Sequence, residues 1–508
     1  MSNSDAILLG IDFGSGGCKV TAIEPDGAIL GTASVEYPTY YAHQGWSEQE
    51  PADWYKAMCA ALAKLRSNGL DLERTRAIAF DGSTHNAVLL DAEMRPLRRT
   101  IMWTDQRSTQ ECAELNAKYR DQIFNIAYQC PTPTWTLPQM MWLKAHEPEV
   151  LKRTKHVLFV KDYVRYQVCG AAATDYIEAQ GTLFFDMRKM DWSDELVALS
   201  GLPREALPKL IKPTDGVGEV SAQAAAEMGV PAGTAVICGT SDSAVEDYGA
   251  GAIAPGDCIV KLATAGNVNV MTAEAHPYPT TLTYSHVLPG MWYTVAATNA
   301  AALCQRWFRD LFYAQDGKAS AFEQMSREAE SSSAGANGVF FHPYLQGERS
   351  PYWDANLRGS FTGLAIRSTR GDFNRALLEG VAFSLLDCYG QIEKMGLPIR
   401  QIFLIGGGAK SRLWSEIVCN VFNLPVKISS PGDASFGSAL LAGTGIGLFK
   451  DSREAVQKCL KIERDLEPDS AQAAFYQAHF ARYKQIHDAL APIYAQMNSF
   501  LGDKDADR

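Results

Sequence analysis

The sequence predicts an α/β protein built as two halves with a cleft between them. Three observations predict it. Short apolar runs that read as strands alternate with stretches of helical apolar spacing through the first half. A strand, a small-residue turn and a second strand open the chain, and a similar passage follows Gly256. The length of 508 residues, at about 100–200 per domain, suggests two to four domains with ample cores.

In chain order, Ile7–Asp12 (ILLGID) is a short apolar run ending in an acid. The turn Gly14-Ser15-Gly16-Gly17 follows, and Cys18–Ile23 (CKVTAI) reads as strand again, so the unit is a hairpin. A P-loop or a dinucleotide fold would need a helix after the glycines. Trp54–Leu65 has helical spacing, with Pro51 and Asp53 as start signals. Ala77–Phe80 and Ala87–Leu90 are strands around a polar turn, and Ala235–Cys238 is a buried strand. In the second passage Cys258–Leu262 is strand-like, Ala263–Gly266 is a small-residue turn, and Val268–Met271 resumes the strand. Phe373–Met395 is a long helical pattern, and Ile402–Ile405 is a short strand running into Gly406-Gly407-Gly408. Leu413–Phe422 and the small-residue stretch Gly437–Gly443 read as helices. The halves join near residues 250–256, which divides the chain into 1–253 and 254–508, and the charged tail DKDADR is expected to fray.

Composition narrows the partners. Lys and Arg number 47 against 58 Asp and Glu, a net charge of −11, which argues against nucleic acid or an anionic membrane surface as the main partner. It does not exclude a small anion held in one local pocket. The eleven cysteines are dispersed, with no CxxC and no zinc spacing, and read as reduced thiols. The N-terminus lacks the basic region of a signal peptide, and no apolar run reaches the roughly 18 residues of a membrane span. The expected compartment is the cytoplasm.

Four segments carry chemistry. In Asp12–Lys19 (DFGSGGCK), glycine amides can approach phosphate oxygens, Lys19 adds charge and Asp12 can hold the waters of a Mg²⁺ ion; an acid-capped surface hairpin would look the same. Asp242, just past a strand end, suits either a general base facing a cleft or a helix N-cap on Ser243–Tyr248. Gly347–Asp354 (GERSPYWD) reads as a rigid elbow with a Glu–Arg pair. Gly406-Gly407-Gly408 suits close approach of a flat ligand or tight strand–helix packing. GGGAKS (Gly406–Ser411) is no P-loop, because Ala409 stands where a glycine is required, and Gly249-Ala250-Gly251 with Ala254 follows a helical stretch rather than the strand a dinucleotide site needs.

Taken together, QGWSEQEPADW (Gln44–Trp54), IMWTDQRS (Ile101–Ser108), GSFTGLAIRSTRGDFNRALLE (Gly359–Glu379) and GGGAKSRLW (Gly406–Trp414) resemble the FGGY carbohydrate kinases over nearly the whole chain. The resemblance implies two actin-like, ribonuclease-H-like ATPase domains that close on ATP and a sugar. It implies Asp242 as the base that deprotonates the attacking hydroxyl. Asp12, Gly14, Ser15, Gly16 and Lys19 would form the first phosphate and Mg²⁺ region, with Thr264 and Gly266 in the second phosphate turn. Gly406, Gly407, Gly408 and Lys410 would lie along adenosine, and Thr84, His85, Trp103, Asp105, Arg107 and Ser243 around the sugar. It also allows a homodimer.

The GWSEQEP and WTDQRS segments resemble the xylulose-phosphorylating members most, so D-xylulose is the expected substrate and D-xylulose 5-phosphate the product. Departures from that pattern bear on the sugar. Asp81–Asn86 (DGSTHN) stands where those members read close to SGQMHG, Ser243 stands where Asn is common after the base, and Gln139 replaces a Lys. Another ketopentose, a polyol or an aldonate remains open. So does an actin-like ATPase with a regulatory or assembly role and no sugar chemistry.

Overall fold

A computed structural model describes residues 6–313 and 318–505. The apolar runs assemble into two sheets. Strands β1 (Ile7–Gly14), β2 (Gly17–Ile23), β3 (Ile29–Glu36), β4 (Thr75–Gly82), β5 (Gly216–Glu219) and β6 (Ala235–Ser241) form the first, in the order β5-β6-β4-β1-β2-β3. Strands β7 (Asp257–Leu262), β8 (Gly266–Thr272), β9 (Leu282–Ser285), β10 (Trp292–Thr298), β11 (Gln401–Ile405), β12 (Val426–Ser430) and β13 (Lys461–Leu466) form the second, in the order β9-β10-β8-β7-β11-β12-β13.

The two sheets repeat one plan. An antiparallel meander (β3-β2-β1, and β10-β8-β7) continues into two parallel neighbours (β4-β6, and β11-β12) and ends on an antiparallel edge strand, β5 or β13. The turns at Gly14–Gly17 and Ala263–Gly266 therefore occupy equivalent places, each joining the first two strands of its sheet. This doubled α/β plan is the one the resemblance implies.

Helices cover both faces of the first sheet, which is why β1 is buried along nearly its whole length. On one face the helix Pro51–Ser67 starts on Pro51 and buries Trp54, Ala57, Met58, Ala61, Leu62 and Leu65 against β2 and β3. On the other lies the helix Ala434–Gly445, which comes from the second half of the chain yet packs on β1 and β4. Gly10 permits this contact, since a Cβ there would come within 1.8 Å of the Ser435 carbonyl oxygen and 2.5 Å of the Ala439 nitrogen. The same helix crosses Asp242–Ala250 at a pair of glycines, where a Cβ on Gly249 would meet Gly437 Cα at 3.0 Å. Gly249 thus serves helix packing.

The helix predicted over 373–395 runs Arg370–Glu393, because Thr369 and Asp372 close a capping box ahead of Phe373. The chain between β4 and β5 forms short ladders and helices with a core of its own, including Leu115, Trp135, Leu137, Phe159 and Phe184. A helix over Ser470–Asp505 ends the described chain, so the tail is helical at its start and Ala506–Arg508 lie outside the described residues. All eleven cysteines are free thiols, and among the described residues no helix is long and apolar enough to cross a membrane.

Candidate active site

Asp242 follows β6 directly and is the first residue of the helix Asp242–Ala250, so Ser241, not Asp242, holds the N-cap position. The Asp242 side chain is half-buried, and its Oδ1 accepts from the Ser243 N–H (2.6 Å), the Ser243 hydroxyl (3.2 Å) and the Thr84 hydroxyl (3.4 Å). Burial raises its pKa; Lys261 on β7 opposes this, and Glu246, one turn along the helix, adds to it. Lys261 itself is ion-paired with Glu246.

Thr84 and His85 sit at a sharp bend. His85 has φ 57°, its N–H donates to the buried Glu178 (2.5 Å), and its carbonyl accepts from the Thr136 hydroxyl (2.7 Å). A Cβ on Gly181 would lie 2.6 Å from Thr84 Cγ2 and 3.1 Å from His85 Cδ2, so the bend packs closely on Gly181. The His85 ring lies 4.9 Å from that of Trp135, and burial holds its pKa down at about 3, so the imidazole is neutral. Trp103 is 40% exposed; its indole N–H donates to the Ser15 hydroxyl (2.9 Å) and its backbone N–H to Asn86 Oδ1 (2.5 Å). Hydrogen bonds thus join the phosphate-type turn to the Thr84 bend.

Asp105 and Arg107 sit deeper than the sequence pattern suggests. Their side chains are 0% and 1% exposed and ion-paired at 2.8 Å. Asp105 also accepts the Ser47 N–H (2.6 Å), while Arg107 pairs with Glu48 (2.8 Å) and lies 3.7 Å from the Trp46 ring. Both are spent on holding the segment that carries Trp103. In the same way Glu348 of the GERSPYWD elbow accepts from the Thr298 hydroxyl and from the N–H groups of Asn299 and Arg349, while Arg349 donates to the Thr298 carbonyl.

Asp12 and Asp81 face each other on the parallel strands β1 and β4. Burial pushes Asp12 up to about 7, with Asp242 adding to the rise, and burial followed by Asp12 lifts Asp81 well above the usual range. The Oδ1 atoms of both are buried without a donor. A carboxylate oxygen with no donor, facing further acids, fits a hard divalent cation such as Mg²⁺. No group of three or more His, Cys, Asp or Glu among the described residues could hold a metal, so such an ion would complete its shell with water and phosphate oxygens. Beside this pair, Ser15 and Gly16 are exposed and a Cβ on Gly16 would meet nothing within 4 Å, while Gly14 is half-buried. Lys19 does not stand alone: its Nζ lies 2.5 Å from Asp433 Oδ2, at the start of the 434–445 helix.

In the second half, the Thr264 hydroxyl accepts from Arg306, an exposed residue, at 2.6 Å. Gly266 is a packing glycine, since a Cβ there would meet Leu385 Cδ2 at 2.8 Å and Thr298 Cγ2 at 2.9 Å. Gly406 (φ 88°) and Gly408 press on Leu262, just before Thr264, while Gly407 and Lys410 are exposed. The glycine loop and the second turn are therefore neighbours. Sequence reasoning did not single out Lys261, Glu246, Asp433, Arg306 or Glu178. Each is defined by a partner distant in the chain or on another element, and no local motif marks it.

The chain matches the models of the FGGY family of carbohydrate kinases, the N-terminal domain over residues 7–249 and the C-terminal domain over residues 260–446. It is 31% identical over 495 residues to the xylulose kinase of Staphylococcus epidermidis, covering 97% of this chain and 98% of that one. Among solved structures it is similar to a xyloylose kinase from Brucella ovis, with TM-score 0.87 and 32% identity over 96% of this chain and 100% of that one. It is also similar to the gluconate kinase from Lactobacillus acidophilus, with TM-score 0.88 and 25% identity over 97% of this chain and 99% of that one.

Proposed function

The chain belongs to the FGGY family of carbohydrate kinases, and on that premise we propose that it transfers the γ-phosphoryl group of ATP to D-xylulose, giving D-xylulose 5-phosphate. The observation that carries the reading is the placement of Asp242. It is a half-buried carboxylate at a helix start, held by Thr84 and Ser243, with Asp12 close enough to feel its charge. Phosphoryl transfer needs little covalent help, so positioning, charge neutralisation and a proton acceptor do most of the work. Asp242 takes the hydroxyl proton as the P–O bond forms, and its burial strengthens its hold on that proton.

Mg²⁺ in this role would neutralise phosphate charge, and Asp12 is the residue to hold it. The amides of Gly14, Ser15 and Gly16 cradle the transferred phosphate, with Lys19 shared between it and Asp433. Thr264 and Arg306 serve the second phosphate turn, with Gly266 shaping it, and Gly406, Gly407, Gly408 and Lys410 serve adenosine. Thr84, His85, Trp103 and Ser243 line the sugar, while Asp105 and Arg107 position the Trp103 segment. Halves 1–253 and 254–508 close on the substrates and exclude water. A neutral sugar suits this acid-rich site better than an aldonate, since Arg107, the cation nearest Trp103 in the motif, is committed to Asp105 and Glu48.

The test is ADP release with ketopentoses, polyols and aldonates, compared as kcat/KM. The expected result is a clear preference for D-xylulose, with Asp242→Asn lowering kcat by about 10²–10⁴-fold while sugar binding persists. Release at the water-only rate with every acceptor would overturn the kinase reading and favour an ATPase of another role. A preference for gluconate would overturn the choice of sugar alone.

A further inference from the structure

In the Asp12–Asp81 pair each residue keeps one buried carboxylate oxygen without a donor. The two residues sit opposite each other in the register of β1 and β4, near the C-terminal ends of both strands. Asp81 is 0% exposed, and its Oδ2 accepts from the Ser438 hydroxyl at 2.5 Å. That bond leaves Oδ1 of Asp81 with no donor, and Oδ1 of Asp12 is in the same condition. The lysines of the neighbourhood are engaged elsewhere, Lys19 with Asp433 and Lys261 with Glu246. Two abutting carboxylates with no donor between them require a positive charge, either a proton or a metal ion. An all-oxygen donor set is the chemistry of Mg²⁺ and Mn²⁺.

We propose that Asp81 is a second carboxylate for the divalent cation of the phosphoryl-transfer site, so that Asp12 and Asp81 together hold the cation before nucleotide binds. The inference rests on the kinase reading for the cation's role, but its geometry does not. Ser438 belongs to the helix Ala434–Gly445, so the second half of the chain orients a cation ligand of the first.

The experiment is a titration of the full-length, nucleotide-free protein with Mn²⁺ alone, followed by electron paramagnetic resonance and by thermal unfolding. Wild type should bind one Mn²⁺ with a rise in unfolding temperature. Asp81→Asn should weaken Mn²⁺ binding by about tenfold or more, on the scale at which loss of a single supporting group acts. Ser438→Ala keeps both carboxylates but removes the donor that orients Asp81, and should weaken Mn²⁺ binding less than Asp81→Asn does. Equal affinity in wild type and Asp81→Asn would mean that Asp81 does not ligate the cation, and would overturn the proposal. So would a wild type that Mn²⁺ neither binds nor stabilises, a result that stands even if Asp81→Asn does not fold. Sugar phosphorylation by the same preparation is scored separately: transfer with unaltered Mn²⁺ binding in Asp81→Asn sinks this proposal alone, and Mn²⁺ binding without transfer sinks the kinase reading alone.

Discussion

Replacing Gly10 by alanine should pry the two halves apart. The new Cβ would lie 1.8 Å from the Ser435 carbonyl oxygen, 2.5 Å from the Ala439 nitrogen and 2.9 Å from the Ser435 carbonyl carbon, where ordinary contact begins at 3.4 Å. All three obstructing atoms are backbone of the helix Ala434–Gly445, so no side-chain rotation relieves the clash and the helix or β1 must shift by more than an ångström. Overpacking of this kind costs about 1–3 kcal/mol and occasionally more. A rigid helix against a fully buried strand places this case at about 3 kcal/mol or above, which lowers the unfolding temperature by about 6–12 °C on the scale of medium-sized domains. The same shift carries Asp433 away from Lys19 and Ser438 away from Asp81, so kcat should fall with stability. Calorimetry together with steady-state phosphorylation reads both effects. Gly16→Ala is the control, because its Cβ would meet nothing within 4 Å and the unfolding temperature should not move. A Gly10→Ala protein that unfolds within about 1 °C of wild type and turns over normally would refute the packing argument.

Arg107→Met should destabilise by about 3–5 kcal/mol, because it leaves the wholly buried Asp105 carboxylate without its guanidinium, and denaturant unfolding measures this. A loss below about 1 kcal/mol would mean that the ion pair does not hold this segment. His286 is 0% exposed, and burial holds it neutral down to about pH 3 against an ordinary value of 6.5. The unfolded chain takes up that proton first, so wild type loses about 2 kcal/mol from this residue between about pH 7 and about pH 5. His286→Gln lacks the loss, and the stability gap between the two proteins should narrow by that amount on acidification; parallel curves would exclude the buried neutral imidazole.

How much of this was legible depended on the range of the interaction. The hairpin around Gly14–Gly17 and its counterpart around Ala263–Gly266 are local, because period-two patterning and small turn residues lie next to each other in the chain. The helix Pro51–Ser67 declared its buried face by the spacing of Trp54, Met58, Ala61 and Leu65. Asp105 and Arg107 were placed around the sugar by the resemblance alone, and it took the fold to show that the Arg107 guanidinium is buried beneath Trp46 and Trp142. For Asp242 the cap and base readings could not be separated locally, and the start of the helix one residue earlier than a cap requires removed the first.

The sequence by itself determined the α/β class, the two equivalent turns and the family's motif residues, since each is written in neighbouring side chains and short-range periodicity. Only the tertiary structure decided which charges meet. Lys19 finds Asp433 and Asp81 finds Ser438 across 414 and 357 residues of chain, because a glycine on β1 lets a distant helix lie flat against the sheet. Burial then determines what each charge can do: the carboxylates beside that helix are left short of donors, and the arginine behind Trp103 is ion-paired to Glu48 and Asp105.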